Sequence, residues 1–166
     1  MLEKIKALLG LGGRAEASTA DSGSRGSDVA SSGVAEVGPA SREVLRAALV
    51  RLLERTNDDA FVIFDAHGTG KFVQFAGGHR EGLRFDLPSQ PLDGGEFAKA
   101  GALLSEYGIP FEAWDLVGQT ELPPETQGSF SADMGRDVER ASTAAWRVFV
   151  EVYGLQEGFA MAVTEN

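Results

Sequence analysis

Hydrophobic residues in the middle of the chain form three short runs separated by two glycine-containing turns. The runs cover residues 61–64, 72–75 and 83–87, and they are rich in Phe, Val and Leu. β-Branched and aromatic residues bounded by Gly and Asp are typical of strands, and turns this short make neighbouring strands antiparallel. The pattern therefore predicts a three-stranded β-meander at the centre of the fold.

Apolar residues at spacings of three and four predict three helices around this meander. The first begins after Ser41, which is a candidate N-cap, and ends near Asn57. The second covers residues 96–107 and the third runs from about 136 to 153. Such spacing places the apolar side chains on one side of each helix, as expected for helices that cover a sheet.

Two further strands are predicted between the second and third helices. Residues 111–117 and 127–134 alternate apolar and polar side chains, which is the pattern of a half-buried strand. Residues 159–163 alternate as well, so the end of the chain is predicted either to add an edge strand or to cover the sheet. The fold class is therefore α+β, with the element order αβββαββα and a five-stranded antiparallel sheet.

The first forty residues differ from the rest in composition. Residues 1–11 predict a short amphipathic helix, whose apolar positions are Leu2, Ile5, Leu8 and Leu9. A helix this short is unstable alone in water, so it must fray or dock on its own domain, a partner protein or a membrane surface. Residues 12–40 are rich in Ser, Gly and Ala without any aromatic residue, which predicts a disordered linker. The folded domain then covers residues 41–166.

Charge and composition narrow the range of partners. Residues 41–166 contain 11 Lys or Arg and 20 Asp or Glu. An acidic domain without a basic patch is repelled by phosphate backbones, so no nucleic-acid partner is expected. The chain has no cysteine, which excludes disulfides, thiol catalysis and thiolate-bound metals. With no long apolar run and no recognisable signal peptide, the sequence predicts a cytoplasmic protein.

Candidate catalytic and metal-binding motifs are weak. Residues 67–71, HGTGK, superficially resemble a phosphate loop, but Phe72 follows the lysine where Ser or Thr is required, so a hairpin turn is the better interpretation. His67 and His79 lack the usual clusters of metal ligands. Asp86 lies between two inward-facing residues and is predicted to point into solvent. We therefore predict no metal, no cofactor and no enzyme activity.

The element order and one run of residues resemble a known bacterial fold. The run FVQFAGG…LRFDLPSQPL covers residues 72–92 and, with the order αβββαββα, resembles the type III secretion chaperone-like fold of YbjN-like and Tir-chaperone-like domains. The resemblance extends over residues 41–155. It implies a protein-binding and often dimeric module without catalysis, and that fold has no catalytic motif to carry over.

The leading hypothesis is a non-enzymatic protein-interaction module, chaperone-like or adaptor, that forms a homodimer and binds an unidentified protein. Gln74 lies on the same strand face as Phe72 and, if buried, needs hydrogen-bond partners. If that face is exposed and apolar, the candidate interaction residues are Val62, Phe64, Phe72 and Gln74, together with Leu2, Ile5, Leu8 and Leu9 of the terminal helix. The alternatives are a regulatory or small-ligand-binding domain, and an enzyme that uses carboxylates. Membrane contact through residues 1–11 is the least favoured partner interaction.

Overall fold

Seven strands and three helices make up the described part of the chain, which comprises residues 36–114 and 127–166 of a computed structural model. The strands are β1 Glu36–Pro39, β2 Phe61–Ala66, β3 Lys71–Gly78, β4 Gly82–Pro88, β5 Phe111–Ala113, β6 Gly128–Gly135 and β7 Ala160–Glu165. The helices are α1 Arg42–Glu54, α2 Gly94–Ser105 and α3 Val138–Arg147, the last followed by a π-helical turn at Val148–Val152. Contacts divide the chain into Met1–Ser32 and Gly33–Asn166, and all the described residues belong to the second unit.

The strands form a single antiparallel sheet in the order β1-β7-β2-β3-β4-β6-β5. The meander β2–β3–β4 lies at its centre, which confirms the central prediction and the α+β class. The predicted count of five strands was wrong, because β1 and β7 add two. β7 lies inside the sheet, between β1 and β2, rather than at its edge. β1 falls within residues 12–40, so the folded domain begins before residue 41. The rest of the predicted linker, residues 12–35, lies outside the described residues.

The two tight turns of the meander explain why its strands pair in this register. Between β2 and β3, Gly68 has a φ of 79° and the hydroxyl of Thr69 donates a hydrogen bond to the carbonyl of Ala66 at 2.6 Å. Near the end of β3, Gly77 has a φ of 141°, and a Cβ atom there would lie 1.8 Å from the carbonyl oxygen of Gly82 at the start of β4. Only glycine tolerates this approach, so the second hairpin depends on it.

Each helix begins at a side-chain cap. Ser41 accepts a hydrogen bond from the Val44 backbone before α1, and Asp93 forms a capping box with Glu96 at the start of α2. Asp137 caps the start of α3 by accepting a hydrogen bond from the Arg140 backbone, and a π-helical turn follows α3 in place of the continuous helix predicted for residues 136–153. Of the helices in the described ranges, none combines the length and the apolar character needed to cross a membrane.

The core lies between the three helices and one face of the sheet, which we call the inner face. Its strand residues include Val62, Phe64, Val73, Phe75, Leu83, Phe85, Leu87, Phe130, Met134 and Met161. α2 joins this core through Phe97, whose ring centroid lies 5.3 Å from that of Phe130. The buried apolar residues of all three helices belong to the same cluster, whereas Ile63 and Ala162 are buried outside it. The helices therefore cover one face of the sheet.

Candidate functional site: the outer face of the sheet

The opposite side of the sheet, which we call the outer face, carries the side chains that alternate with the core residues. They include Ile63, Asp65, Phe72, Gln74, Arg84, Asp86, Glu112, Ser129, Ser131 and Asp133. Across the middle of the sheet, Ile63 is paired with Gln74, Gln74 with Asp86 and Asp86 with Ser131. No helix in the described ranges contributes a buried apolar residue to this face.

A polar network occupies the centre of the outer face. The side-chain amide of Gln74 donates a hydrogen bond through Nε2 to Oδ2 of Asp86, and the Ser129 hydroxyl also bonds to this carboxylate. Arg84 donates through Nε to Oγ of Ser131 at 3.1 Å. Gln74, Ser129 and Ser131 are 5%, 2% and 3% exposed. These groups are therefore nearly as inaccessible as core residues, although they lie on the face away from the helices.

Burial controls the protonation of Asp86. Loss of solvent raises the pKa of its carboxyl above the ordinary value, and the hydrogen bonds from Gln74 and Ser129 and the charge of Arg84 only partly oppose this effect. The charge of Glu112 adds to the increase. Strand alternation correctly predicted that Asp86 points away from the core. The expectation that it points into solvent was wrong, because the side chain is largely buried.

One hydrogen-bonding atom of the network lacks a partner. Oε1 of Gln74 is buried and accepts no hydrogen bond from the described residues. The amide must direct Nε2 at Asp86, because an ionised carboxylate only accepts hydrogen bonds. An unsatisfied buried acceptor costs about 1–3 kcal/mol. Oε1 of Gln74 is therefore a buried acceptor, next to Asp86, that has no donor among the described residues.

The outer face also has an excess of negative charge. Asp65, Asp86, Glu112 and Asp133 lie on it, and Arg84 is its one basic residue within the described ranges. Arg84 lies 3.6 Å from Glu112 in an ion pair. Burial raises the pKa of Asp65, as it does for Asp86, while the charge of His67 opposes the increase for Asp65. The face therefore favours cationic groups over anionic ones.

The structure brings together some of the predicted interaction residues and separates others. Phe72 is half-buried and Gln74 buried, and both lie on the outer face. Val62 and Phe64 are 0% exposed in the core, so they do not form the accessible apolar patch proposed for them. Their parity along β2 places them on the inner face. The predicted residues Leu2, Ile5, Leu8 and Leu9 lie outside the described residues.

Sequence reasoning did not identify Arg84, Ser129 and Ser131 as site residues. The alternation along β6 already placed both serines on the side opposite Phe130. The same alternation along β4 placed Arg84 and Asp86 on one face of that strand. What the sequence lacked was the pairing of β4 with β6, which brings these residues onto adjacent strands. The sequence of each strand therefore showed which side chains share a face, but it did not show which residues of β4 and β6 are paired.

Other clusters in the described ranges are less suited to binding. Lys71 forms an ion pair with Glu96 and donates to the carbonyl of Pro91 at 2.6 Å, so its hydrogen bonds connect the end of β3 to the start of α2. A depression beside the β3–β4 turn, lined partly by Arg55 and His79, has a volume of about 10 Å³. That is room for about one water molecule. Within residues 36–114 and 127–166, no three potential metal ligands lie together.

Comparisons with known proteins found no matching family model, no matching curated protein and no matching solved structure. The resemblance to the type III secretion chaperone-like fold therefore stays a prediction. The outer face combines three features: no described helix packs on it, a buried polar network lies at its centre, and one acceptor atom there has no donor from the described residues.

Proposed function

We propose that the domain is a non-enzymatic, cytoplasmic protein-interaction module, adaptor or chaperone-like in role, that binds its partner through the outer face of the sheet. The observation that carries the proposal is the unsatisfied Oε1 of Gln74 within a polar network on a face that no described helix covers. Isolated sheet faces are normally covered by another layer. A partner protein that packs on the exposed side chains of this face, such as Glu112 and Asp133, supplies this layer.

The same geometry favours binding over catalysis. The Asp86 carboxylate is largely buried and is hydrogen-bonded to Gln74 and Ser129, which leaves it little access to a substrate. A carboxylate-based enzyme is therefore a weaker alternative, and a regulatory or small-ligand-binding domain is the other alternative.

Electrostatics also bear on the predicted homodimer. Two copies that met through their outer faces would bring four acidic residues of each against those of the other, with Arg84 as the one basic contribution of the described residues. Juxtaposed like charges oppose association. We therefore propose that the outer face binds a different protein, and that a homodimer, if formed, uses another surface.

Affinity capture from an extract of the source cell tests this proposal. The bait is the full chain, and the matched variants are Glu112→Lys on the outer face and Glu54→Lys at the exposed end of α1. Each variant replaces one glutamate by lysine, but only Glu112→Lys changes the outer face, since α1 packs on the inner face. We expect one stoichiometric protein to be retained by the wild type and by Glu54→Lys and lost with Glu112→Lys.

A truncation separates the domain from the N-terminal residues. A chain that starts at Gly33 keeps β1, unlike one that starts at Ser41. Retention of the partner by the truncated chain assigns binding to the domain. Absence of any stoichiometric partner with the wild type, or equal loss with both charge variants, contradicts the proposal.

A further inference from the structure

We propose that Gln74 and Asp86 form a proton-binding site, in which the Asp86 carboxyl takes up one proton on Oδ1 and donates it in a hydrogen bond to Oε1 of Gln74. The acid and the amide are then joined by two hydrogen bonds, since Nε2 of Gln74 already donates to Oδ2 of Asp86. One O–H bond forms, hydronium becomes water, and the outer face loses one negative charge. Such a site is a pH-sensitive element inside the domain and does not depend on the proposed function.

The acceptor of this proton is enclosed by the domain itself. Oε1 of Gln74 has almost no accessible surface and accepts no hydrogen bond from the described residues. Ser129 and Ser131, on the same face of β6, are 2% and 3% exposed. A side chain that arrives from outside cannot reach this oxygen atom, so its donor has to come from a group already beside it.

The other polar groups around the pair are already engaged. Arg84 donates to Ser131 and forms an ion pair with Glu112. The Ser129 hydroxyl is hydrogen-bonded to the Asp86 carboxylate. An ionised carboxylate has no proton to donate, whereas a protonated one has an O–H donor and keeps acceptor capacity. Protonation of Asp86 therefore supplies a donor to Oε1 from inside the site.

The position of the two residues in the sheet suits a paired acid and amide. Gln74 on β3 and Asp86 on β4 are directly opposite each other. Opposite side chains on one face of an antiparallel pair have Cβ atoms about 4.5–5.5 Å apart. An amide and a neutral carboxylic acid each offer a donor and an acceptor, so side by side they satisfy one another, whereas the ionised acid satisfies only Nε2.

The surroundings of the Asp86 carboxyl also favour proton uptake. Burial raises its pKa, and the negative charge of Glu112 adds to the increase, while the hydrogen bonds from Gln74 and Ser129 and the charge of Arg84 oppose it. The polar and charged groups on the same face around the carboxyl are Gln74 on β3, Ser129, Ser131 and Asp133 on β6, Glu112 on β5 and Arg84 on β4 itself. Only one of these groups is a cation, so the environment opposes the loss of the proton.

A pH titration of the full chain by carbon-detected NMR tests the proposal. The carboxyl carbon Cγ of Asp86 reports proton uptake, and the amide carbon Cδ of Gln74 reports a hydrogen bond to Oε1. We expect both resonances to shift with one common midpoint above pH 3.8, the ordinary pKa of an aspartate. Asp86→Asn and Gln74→Met, each of which removes one of the two signals, assign the resonances.

Three variants identify the source of the shift at Gln74. In Asp86→Asn the titrating group is absent, so Cδ of Gln74 should no longer shift with pH. Asp133→Asn removes an exposed carboxylate of the same face and should leave the shift in place. Ser129→Ala removes a hydrogen bond to the ionised carboxylate, so the common midpoint should move to a higher pH. Thermal unfolding verifies that each variant folds.

Several results would overturn the proposal. One is a Gln74 resonance that stays fixed while Asp86 titrates, or that shifts equally in Asp86→Asn. The others are a midpoint for Asp86 at or below pH 3.8, and unfolding in acid before either resonance moves. None of these results depends on affinity capture, so failure of the proton site and failure of the proposed function are distinguishable.

Discussion

Gln74 and Asp86 lie opposite each other on β3 and β4, and the amide of Gln74 donates a hydrogen bond to the Asp86 carboxylate. Oε1 of Gln74 has no donor from the described residues. In Asp86→Asn, the new amide can donate to Oε1 while its carbonyl accepts from Nε2. We expect the free energy of unfolding at pH 7 to rise by about 1 kcal/mol, measured by urea denaturation. A lower stability than wild type would contradict this account of the pair.

The stability difference between wild type and Asp86→Asn should depend on pH. Burial raises the pKa of Asp86 above the ordinary value of 3.8, so the folded state binds the proton more tightly than the unfolded state. The resulting contribution to stability is present at low pH and lost as the pH rises through the folded-state pKa. The advantage of Asp86→Asn is therefore expected to grow from pH 3.5 to pH 7. Urea denaturation at each pH measures it, and a constant or shrinking difference would contradict the prediction.

Glu165 at the end of β7 connects the sheet to α1. It accepts hydrogen bonds from Nε of Arg51 at 3.0 Å and from Nη2 of Arg55 at 3.2 Å. Burial alone would raise the pKa of Glu165, but the hydrogen bonds and charges of the two arginines lower it overall. We expect Glu165→Gln to reduce the free energy of unfolding at pH 7 by about 1 kcal/mol, as measured by urea denaturation.

The pH dependence and a second ion pair provide the controls for Glu165. Because its folded-state pKa is lowered, the stabilisation is present above the unfolded-state pKa and is lost as the pH falls through the folded-state value. The wild type and Glu165→Gln should therefore converge in acid. Glu139 pairs with Arg46 across exposed helix surfaces, and Glu139→Gln should cost less than about 0.5 kcal/mol. Equal losses at the two positions would argue against a special role for Glu165.

Local patterns predicted the parts of the fold that depend on neighbours in sequence. The alternation at residues 83–87 identified β4 and the orientation of Asp86, and the Ser41 cap identified the start of α1. The hydrogen bonds of Asp86 could not be predicted, because their donors are Gln74 on β3 and Ser129 on β6. Only the register of three strands brings these residues together.

β1, the strand that the sequence did not predict, also depends on residues that are distant along the chain. β1 has the sequence EVGP, and its Gly38 and Pro39 match the composition of a linker. It becomes a strand because it pairs with β7, where Val37 lies opposite Ala162. Such a pairing between the beginning and the end of the domain has no signature in a short sequence window. The β1 edge of the sheet was therefore beyond prediction, whereas the central meander and the opposite edge at β5 were predicted.

The hairpin between β3 and β4 is expected to depend on one glycine. A Cβ atom at Gly77 would lie 1.8 Å from the carbonyl oxygen of Gly82, and its φ of 141° is rarely adopted by other residues. Gly77→Ala should lower the free energy of unfolding by about 3 kcal/mol or more. At Gly94, in the first turn of α2, the same substitution meets no atom within 4 Å and should be neutral or slightly stabilising. Thermal unfolding of both variants measures the contrast, and equal effects would contradict it.

Tyr153 follows the π-helical turn, and its hydroxyl donates a hydrogen bond to the backbone carbonyl of Phe72 at 2.9 Å. Burial raises the pKa of this phenol, so it remains a donor across the neutral range. Tyr153→Phe removes the donor with little change in shape and should cost about 1–2 kcal/mol in urea denaturation. Tyr107→Phe is the matched control, since its hydroxyl makes a longer contact of 3.4 Å with Arg147, and should cost less than about 0.5 kcal/mol. Equal costs would indicate that the π-helical turn does not anchor β3 through this hydrogen bond.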